Sequence, residues 1–573
     1  MRTIVYSVVA ASLVSVMGCG SEGPEGPGPI EEPEQSEAAL AVFDKVDLLF
    51  VVDNSISMAE EQQVLASSVE KLLRGMINPP CVDSGGGVVE EPASPEETCP
   101  TGSFRRAAPV RDLHIGVISS NMGDLGGGSC EFVGTPADKS HLRTLGSDGP
   151  VATYQDLGFL AWDPDGELSP AGESDFEALV ASAVDIVSGM GEQGCGYEMP
   201  LEAMNRFLVD PAPYDALVRD NDGQHGSGID EALLAERAAF LRPDSIVGVV
   251  LLSDENDCSL DPTAGDVVLR SEPFYRATSV CDTDPNDACC TSCALPTPDG
   301  CSADPSCVEP VLTTVEDHAN IRCFDQKRRY GVDFHYPTVR YVNALSSEEI
   351  DPATLDYAAG DNAIPNPLFY GDRQPEHVIF TAITGVPWQD LVVDPNDPES
   401  APKTSQQMET DGSWAWLVGD NGGAPLDPFM IESVDKRVGV SPATGEATVN
   451  ASAPNGGDRS IPDADDLQYA CIFALAEPIE SACSCYAADG CTDDPACIDG
   501  AMVAAAARPG TRQLEVARGL GSNAVVGSIC PPIVALPETS EGESRSPQAN
   551  SNYDAALSQM NERVSELLPE AEE

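Results

Sequence analysis

Five short apolar runs, rich in β-branched residues, punctuate the chain: VDLLFVV (46–52), LHIGVIS (113–119), SIVGVVLLS (245–253), HVIFTAITGV (377–386) and NAVVGSI (523–529). They are nearly continuous in hydrophobicity rather than alternating, the pattern of strands buried on both faces of a parallel sheet. Between them the period changes to that of a helix. In AEEQQVLASSVEKLLRGM, residues Val64, Leu65, Val69, Leu72 and Leu73 share one face. FEALVASAVDIV (176–187), MPLEAMNRFL (199–208) and YDAALSQMNERVSELL (553–568) repeat that pattern, the last reading as the closing helix of the domain. Strands and helices in alternation predict an α/β fold: a doubly wound, mostly parallel, Rossmann-like sheet.

The connections depart from this scheme. Residues 78–110, 255–375 and 387–520 are far longer than ordinary αβ loops and hold most of the prolines and cysteines. One domain over about 41–570 is therefore expected, with cysteine-rich insertions at about 255–375 and 387–520. The alternative division ends an N-terminal domain near 345 and starts an unrelated one after it.

The N-terminus narrows the compartment. MRTIVYSVVAASLVSVMGCG has one arginine, then an apolar run too short to span a membrane comfortably, then small residues. Residues 1–18 thus read as a secretory signal, and SVMGC resembles a bacterial lipobox in which Cys19 becomes the lipid-bearing first residue. Residues 19–40, mostly Gly, Pro and Glu, form a disordered acidic tether. This places the chain in the cell envelope, anchored by lipid alone at the outer membrane or cell surface. Of 19 cysteines, Cys19 aside, 18 remain, an even number that suits up to nine disulfides in an oxidising compartment. They cluster at 281–323 and 471–497, where DGCSADPSC (299–307) and DGCTDDPAC (489–497) look like two copies of one unit. CTSC (290–293) has zinc-like spacing, but export favours disulfides there. A net charge of −65, from 95 acidic against 30 basic residues, repels nucleic acid and attracts divalent cations.

The first strand ends in an unusual way. VDLLFVVDNSISM leaves its buried run on Asp53, Ser55 and Ser57, and VVLLSDENDCS ends another strand on Asp254, followed by Glu255 and Asp257. Ligands of open α/β sheets sit at strand carboxyl ends. Two carboxylates and two hydroxyls delivered there make an all-oxygen site for Mg²⁺ or Ca²⁺. The bland alternative is that Asp53 and the serines merely cap the helix that follows. The six histidines (His114, His141, His225, His318, His335 and His377) show no metal-ligand spacing and read as surface or capping residues. The tryptophan of GVPWQDL reads as a core anchor.

The D-x-S-x-S of Asp53, Ser55 and Ser57, with Asp254 on a second strand, resembles the von Willebrand factor type A domain and its metal-ion-dependent adhesion site. VVDNSISMAEEQ, GCGYEMPLEAM, SDENDCS and ITGVPWQDL are further similar to cysteine-rich exported lipoproteins of the kind found in myxobacteria. The resemblance covers about 45–565 and implies a metal at the top edge of the sheet that engages an acidic residue of a protein ligand. The family site also carries a threonine from the loop before a later helix. Here that region reads VSGMGEQGCGYE, without threonine, so Glu192 or Ser188 would have to serve. The expected function is a cell-surface, metal-dependent binding protein and not an enzyme. Its rivals are a metal-dependent hydrolase, for which no pattern supplies a base or nucleophile, and a structural calcium-binding envelope protein.

Overall fold

The computed structural model describes residues 43–125, 137–220, 223–263, 268–269, 273–420, 422–479, 493–498, 501–532 and 552–569. The leader, Cys19, the tether and positions 489–492 of the second DGC unit lie outside the described residues.

The sheet strands in chain order are β1 (Lys45–Val52), β2 (Asp112–Ser119), β3 (Leu160–Trp162), β4 (Ser245–Leu252), β5 (Val378–Thr384) and β6 (Ala524–Ser528). They lie side by side as β3-β2-β1-β4-β5-β6. All neighbours are parallel except β3, which pairs antiparallel with β2 at the edge. Five of the six coincide with the apolar runs to within a residue or two. The sixth, β3, is three residues long and leaves no run to read.

Period-2 alternation sorts each strand between two cores. On β1, Leu48, Phe50 and Val52 join one apolar cluster, whereas Leu49 and Val51 join the other. The first face is covered by α1 (Ala59–Ile77), α2 (Phe176–Ser188) and α7 (Asn552–Leu567), through residues such as Leu65, Val69, Ile186, Leu557 and Met560. The second is covered by α3 (Pro200–Leu208), α4 (Glu231–Phe240), α5 (Val339–Ser346) and α6 (Thr511–Leu520), through Met204, Phe207, Phe240, Tyr341 and Leu514. The chain is thus mixed α/β around a six-stranded, mostly parallel sheet. Strands from both sides of position 345 share it, and the helix at 552–567 packs with α1 on the same face.

At the amino ends of the strands, Asp47 of β1 is fully buried and accepts hydrogen bonds from the Arg242 backbone N–H and Nε, each at 2.8 Å. This ion pair closes that edge and leaves the carboxyl edge open for chemistry.

The insertions are stapled. Cys281–Cys290, Cys289–Cys301 and Cys293–Cys307 crowd one short stretch whose own apolar cluster is only Ala277, Cys281 and Cys290. Both cysteines of CTSC are spent in these bridges. Cys81–Cys99 and Cys258–Cys323 tie other long connections, and Cys195 and Cys497 are also disulfide-bonded. Strands Cys471–Ile479 and Ala501–Ala507 pair in a small separate sheet, which Cys471–Cys530 fastens to the end of β6. Among the described residues no helix is long and apolar enough to cross a membrane.

Candidate metal centre

Because β1 and β4 are parallel neighbours in register, with Val52 opposite Leu252, their carboxyl ends open at one point. The Asp53 N–H donates to the Leu252 carbonyl at 2.9 Å, so the ladder continues one residue beyond the strand. Asp53 is fully buried, and three donors aim its carboxylate. Oδ1 accepts from the Ser55 N–H (2.9 Å) and the Ser120 hydroxyl (3.2 Å), and Oδ2 accepts from the Ser253 hydroxyl (2.7 Å). Ser120 follows β2 and Ser253 follows β4, so three adjacent strand ends hold this one side chain. Ser55 and Ser57 bring their hydroxyl oxygens to 3.4 Å of each other.

None of these groups is a helix cap. Helix α1 starts at Ala59 with Met58 at the N-cap position, and no side chain caps it. The capping alternative therefore does not account for the aspartate and the two serines.

Asp254 is the most revealing residue of the site. It is fully buried, and neither carboxylate oxygen has a hydrogen bond of good geometry among the described residues, although the Ser57 hydroxyl lies near enough to lower its pKa slightly. Its closest cation is Arg508, whose Nη1 lies 3.6 Å from Oδ2. Burial first, and then the charge of Glu255, push Asp254 up to about 8 against the partial relief from Arg508. Glu61, in the first turn of α1, repeats the problem: it is fully buried, both oxygens lack hydrogen-bond partners among the described residues, and burial and Asp254 raise its pKa. Burying an ion costs several kcal/mol unless other charges answer it. Arg508 is the guanidinium nearest to Asp254 and it is shared, lying 3.4 Å from Glu255 and 3.1 Å from Asp466. The cluster therefore carries more negative charge than Arg508 can balance.

Arg508 is delivered by backbone chemistry. Its N–H donates to the Asp254 carbonyl at 2.8 Å. A Cβ on Gly385 would meet the Arg508 carbonyl at 1.7 Å, so only glycine lets that segment pass.

The loop before α3 completes the surroundings. Gln62 Nε2 bridges the carbonyls of Asp53 (2.9 Å) and Gly191 (3.0 Å). The Gly194 N–H donates to the Asn54 carbonyl at 2.7 Å, and a Cβ at Gly194 would sit 2.4 Å from the Asn54 amide oxygen. The structure places the candidates from this loop apart from one another. Ser188 ends α2 half-buried, and Glu192 is exposed on the rim, with burial raising its pKa and Glu60 nearby. Glu198 instead is buried within the cluster: burial, then Glu255 and Asp53, hold its pKa well above the carboxylate range. Sequence reading passed over Glu198, and the clue lay in its place two residues ahead of Pro200, the first residue of α3. Asp257 turns away into structure, accepting from the Leu201 N–H (3.1 Å), the Ser259 hydroxyl (2.7 Å) and Arg512 Nε (3.2 Å).

Asp53, Ser55, Ser57 and Asp254 are an all-oxygen donor set, which fits a hard divalent cation. No three of the strand-end carboxylates converge tightly. Among the described residues, the one group of three Cys, His, Asp or Glu whose ligand atoms all lie within 4.8 Å of one another is Cys258, Cys323 and His335. The histidines meet the expectation of surface or capping roles only in part: His377 is buried yet caps, its Nδ1 accepting the Gln374 N–H at 3.0 Å, and His318 caps the turn after it, whereas His114 is a core residue and the His335 side chain is 6% exposed. Trp388 of GVPWQDL is only half-buried, while Trp162 and Trp414 fill the cores. No family model, curated protein or solved structure matches the chain.

Proposed function

We propose that this chain is a lipid-anchored binding protein of the von Willebrand factor type A kind, whose strand-end site uses Mg²⁺ or Ca²⁺ to engage an acidic group on a protein ligand. The observation that carries the reading is Asp254: a fully buried carboxylate, without a hydrogen bond of good geometry among the described residues, beside an Asp53 that three donors hold in place. Strand order β3-β2-β1-β4-β5-β6 supports it, being the order of a doubly wound sheet whose ligands lie at strand carboxyl ends.

In this reading Asp53, Ser55, Ser57 and Asp254 hold the cation, and Glu198 stands where the family has threonine. When bound, the cation supplies a positive charge to which a partner carboxylate can attach. The chain's own residues fix the donors: Ser120 and Ser253 orient Asp53, and Gln62 ties its backbone to the 191 loop. The extra carboxylate of Glu198 favours Ca²⁺, which accepts more anionic oxygens than Mg²⁺.

The test is capture of envelope proteins on the immobilised chain, with Ca²⁺ or Mg²⁺ and again with chelator. Capture that needs the cation and fails in Asp254→Asn supports the reading, and chelator-indifferent capture refutes it. The anchor is checked separately by fatty-acid labelling, which Cys19→Ser should abolish.

A further inference from the structure

We infer that Cys258, Cys323 and His335 form a second metal site, of soft character, that becomes available when the Cys258–Cys323 disulfide is reduced. The ligand atoms of the three residues lie within 4.8 Å of one another, an arrangement that neither cysteine spacing nor histidine spacing announces in the sequence.

The imidazole is prepared for this role. His335 Nδ1 lies 2.8 Å from Asp333 Oδ1, and the same carboxylate oxygen accepts the His335 backbone N–H at 3.0 Å. With Nδ1 donating to Asp333, the lone pair sits on Nε2, which is the arrangement of metal-binding histidines. That Nε2 is buried and has no hydrogen-bond partner among the described residues. The side chain is 6% exposed, so water does not answer the lone pair either. A bridge between Leu260 and His335 fixes the two segments across from each other, two residues past Cys258.

A bare disulfide gives Nε2 nothing to bond with, whereas two thiolates and a cation do. Reduction balances as follows. A dithiol is oxidised to its own disulfide, the Cys258–Cys323 bond breaks, and the two electrons and two protons pass to the two sulfurs. Zn²⁺ then displaces both thiol protons, giving two thiolates and one neutral imidazole around the ion, with one tetrahedral position left for water. Cys258 is the fourth residue after Asp254, and its N–H donates to the Glu198 carbonyl at 2.8 Å. This backbone bond places the soft site beside the strand-end site, although neither needs the other.

The test uses Co²⁺ as a spectroscopic stand-in for Zn²⁺. The mature chain is reduced with a dithiol under native conditions, freed of it without oxygen, and titrated with Co²⁺. Mass spectrometry reports which cysteines are free. Wild type should bind one equivalent of Co²⁺ more than Cys258→Ser/Cys323→Ser, with the matching increment in the thiolate-to-metal charge-transfer band, because the cysteines freed at 281–307 contribute equally to both. Asp333→Asn should weaken this added binding by about 10–100-fold, and His335→Ala or His335→Gln by at least that, since loss of a supporting group alone has that effect. Equal Co²⁺ affinity in wild type and both His335 variants overturns the inference. So does a Cys258–Cys323 bond that stays closed until the sheet unfolds.

Discussion

Replacing Asp254 by asparagine separates a cation ligand from a structural ion pair, because the two roles predict opposite signs. Asparagine keeps the shape and removes the charge. Asp254 has no hydrogen bond of good geometry to lose among the described residues, and Arg508 would not be stranded, since it retains Asp466 at 3.1 Å and Glu255 at 3.4 Å. In chelator the variant should therefore be as stable as wild type in acid, where the carboxyl keeps its proton folded and unfolded alike, and about 1–2 kcal/mol more stable once pH has passed the raised value of about 8. Part of the several-kcal/mol burden of a buried ion is lifted, the rest being already offset by Arg508. With cation at 100 times its dissociation constant, wild type should gain about 2.7 kcal/mol and Asp254→Asn almost nothing. Asp53→Ala provides the contrast. It leaves the Ser55 N–H and the Ser120 hydroxyl without their acceptor, at about 1–3 kcal/mol each, while the Ser253 hydroxyl keeps the Glu255 carbonyl at 3.2 Å, so it should be destabilised with or without cation. Urea midpoints of the disulfide-intact chain, in chelator and in millimolar Ca²⁺ or Mg²⁺, read all three. A loss of about 3–5 kcal/mol for Asp254→Asn in chelator, the usual result of breaking a buried pair, would mean that Asp254 exists to hold Arg508. An undiminished cation response in that variant would remove Asp254 from the site.

Reduction should loosen the stretch 281–307 before the sheet, because three disulfides there surround an apolar cluster of only three residues. Limited proteolysis after mild reduction should cut there first, and first cuts within β1 or β4 would contradict this. His141 sits 2.9 Å from a Glu236 oxygen and 3.1 Å from an Asp230 oxygen, and the hydrogen bond to Glu236 leads in raising its pKa above 6.5. Its contribution is then fully present below pH 6.5 and lost as pH rises through the raised value. The gap in urea midpoint between wild type and His141→Ala should accordingly be widest near pH 5 and shrink towards pH 8, and a gap independent of pH would show that the contact works by packing alone.

What the sequence disclosed about the fold follows from how each element is stabilised. Strands such as β1 and β4 are buried along almost their whole length, so nearly every position must be apolar and the run is visible unaided. Edge strand β3 is three residues long and held by β2 alone, which asks nothing distinctive of its sequence. Helices α5 and α6 lie within the long connections and α4 follows a turn-rich stretch, and each is only eight to ten residues long, too short for its amphipathic face to stand out.

The site divides along the same line. Asp53 and Asp254 stood out in the sequence because each ends an apolar run on a charge, and parallel pairing of β1 with β4 brings those two strand ends together. Glu198 was not legible, because its role comes from the path of a loop that Gln62 and Gly194 draw against Asp53 and Asn54, and such a path depends on contacts far apart in the chain. The exposed Glu192 and the buried Glu198 look equivalent as letters, but only one of them is removed from water. Burial changes what a carboxylate can do. On the rim, water and salt answer its charge, and its pull on a cation is weak. Inside, with Asp53, Asp254 and Glu255 for company, the charge is answered by a proton, by Arg508 or by a bound cation. Arg508 is already divided among Asp254, Glu255 and Asp466, and a proton leaves the Asp254 oxygens without partners of good geometry. In the reading proposed above, a divalent cation would answer both oxygens and the charge.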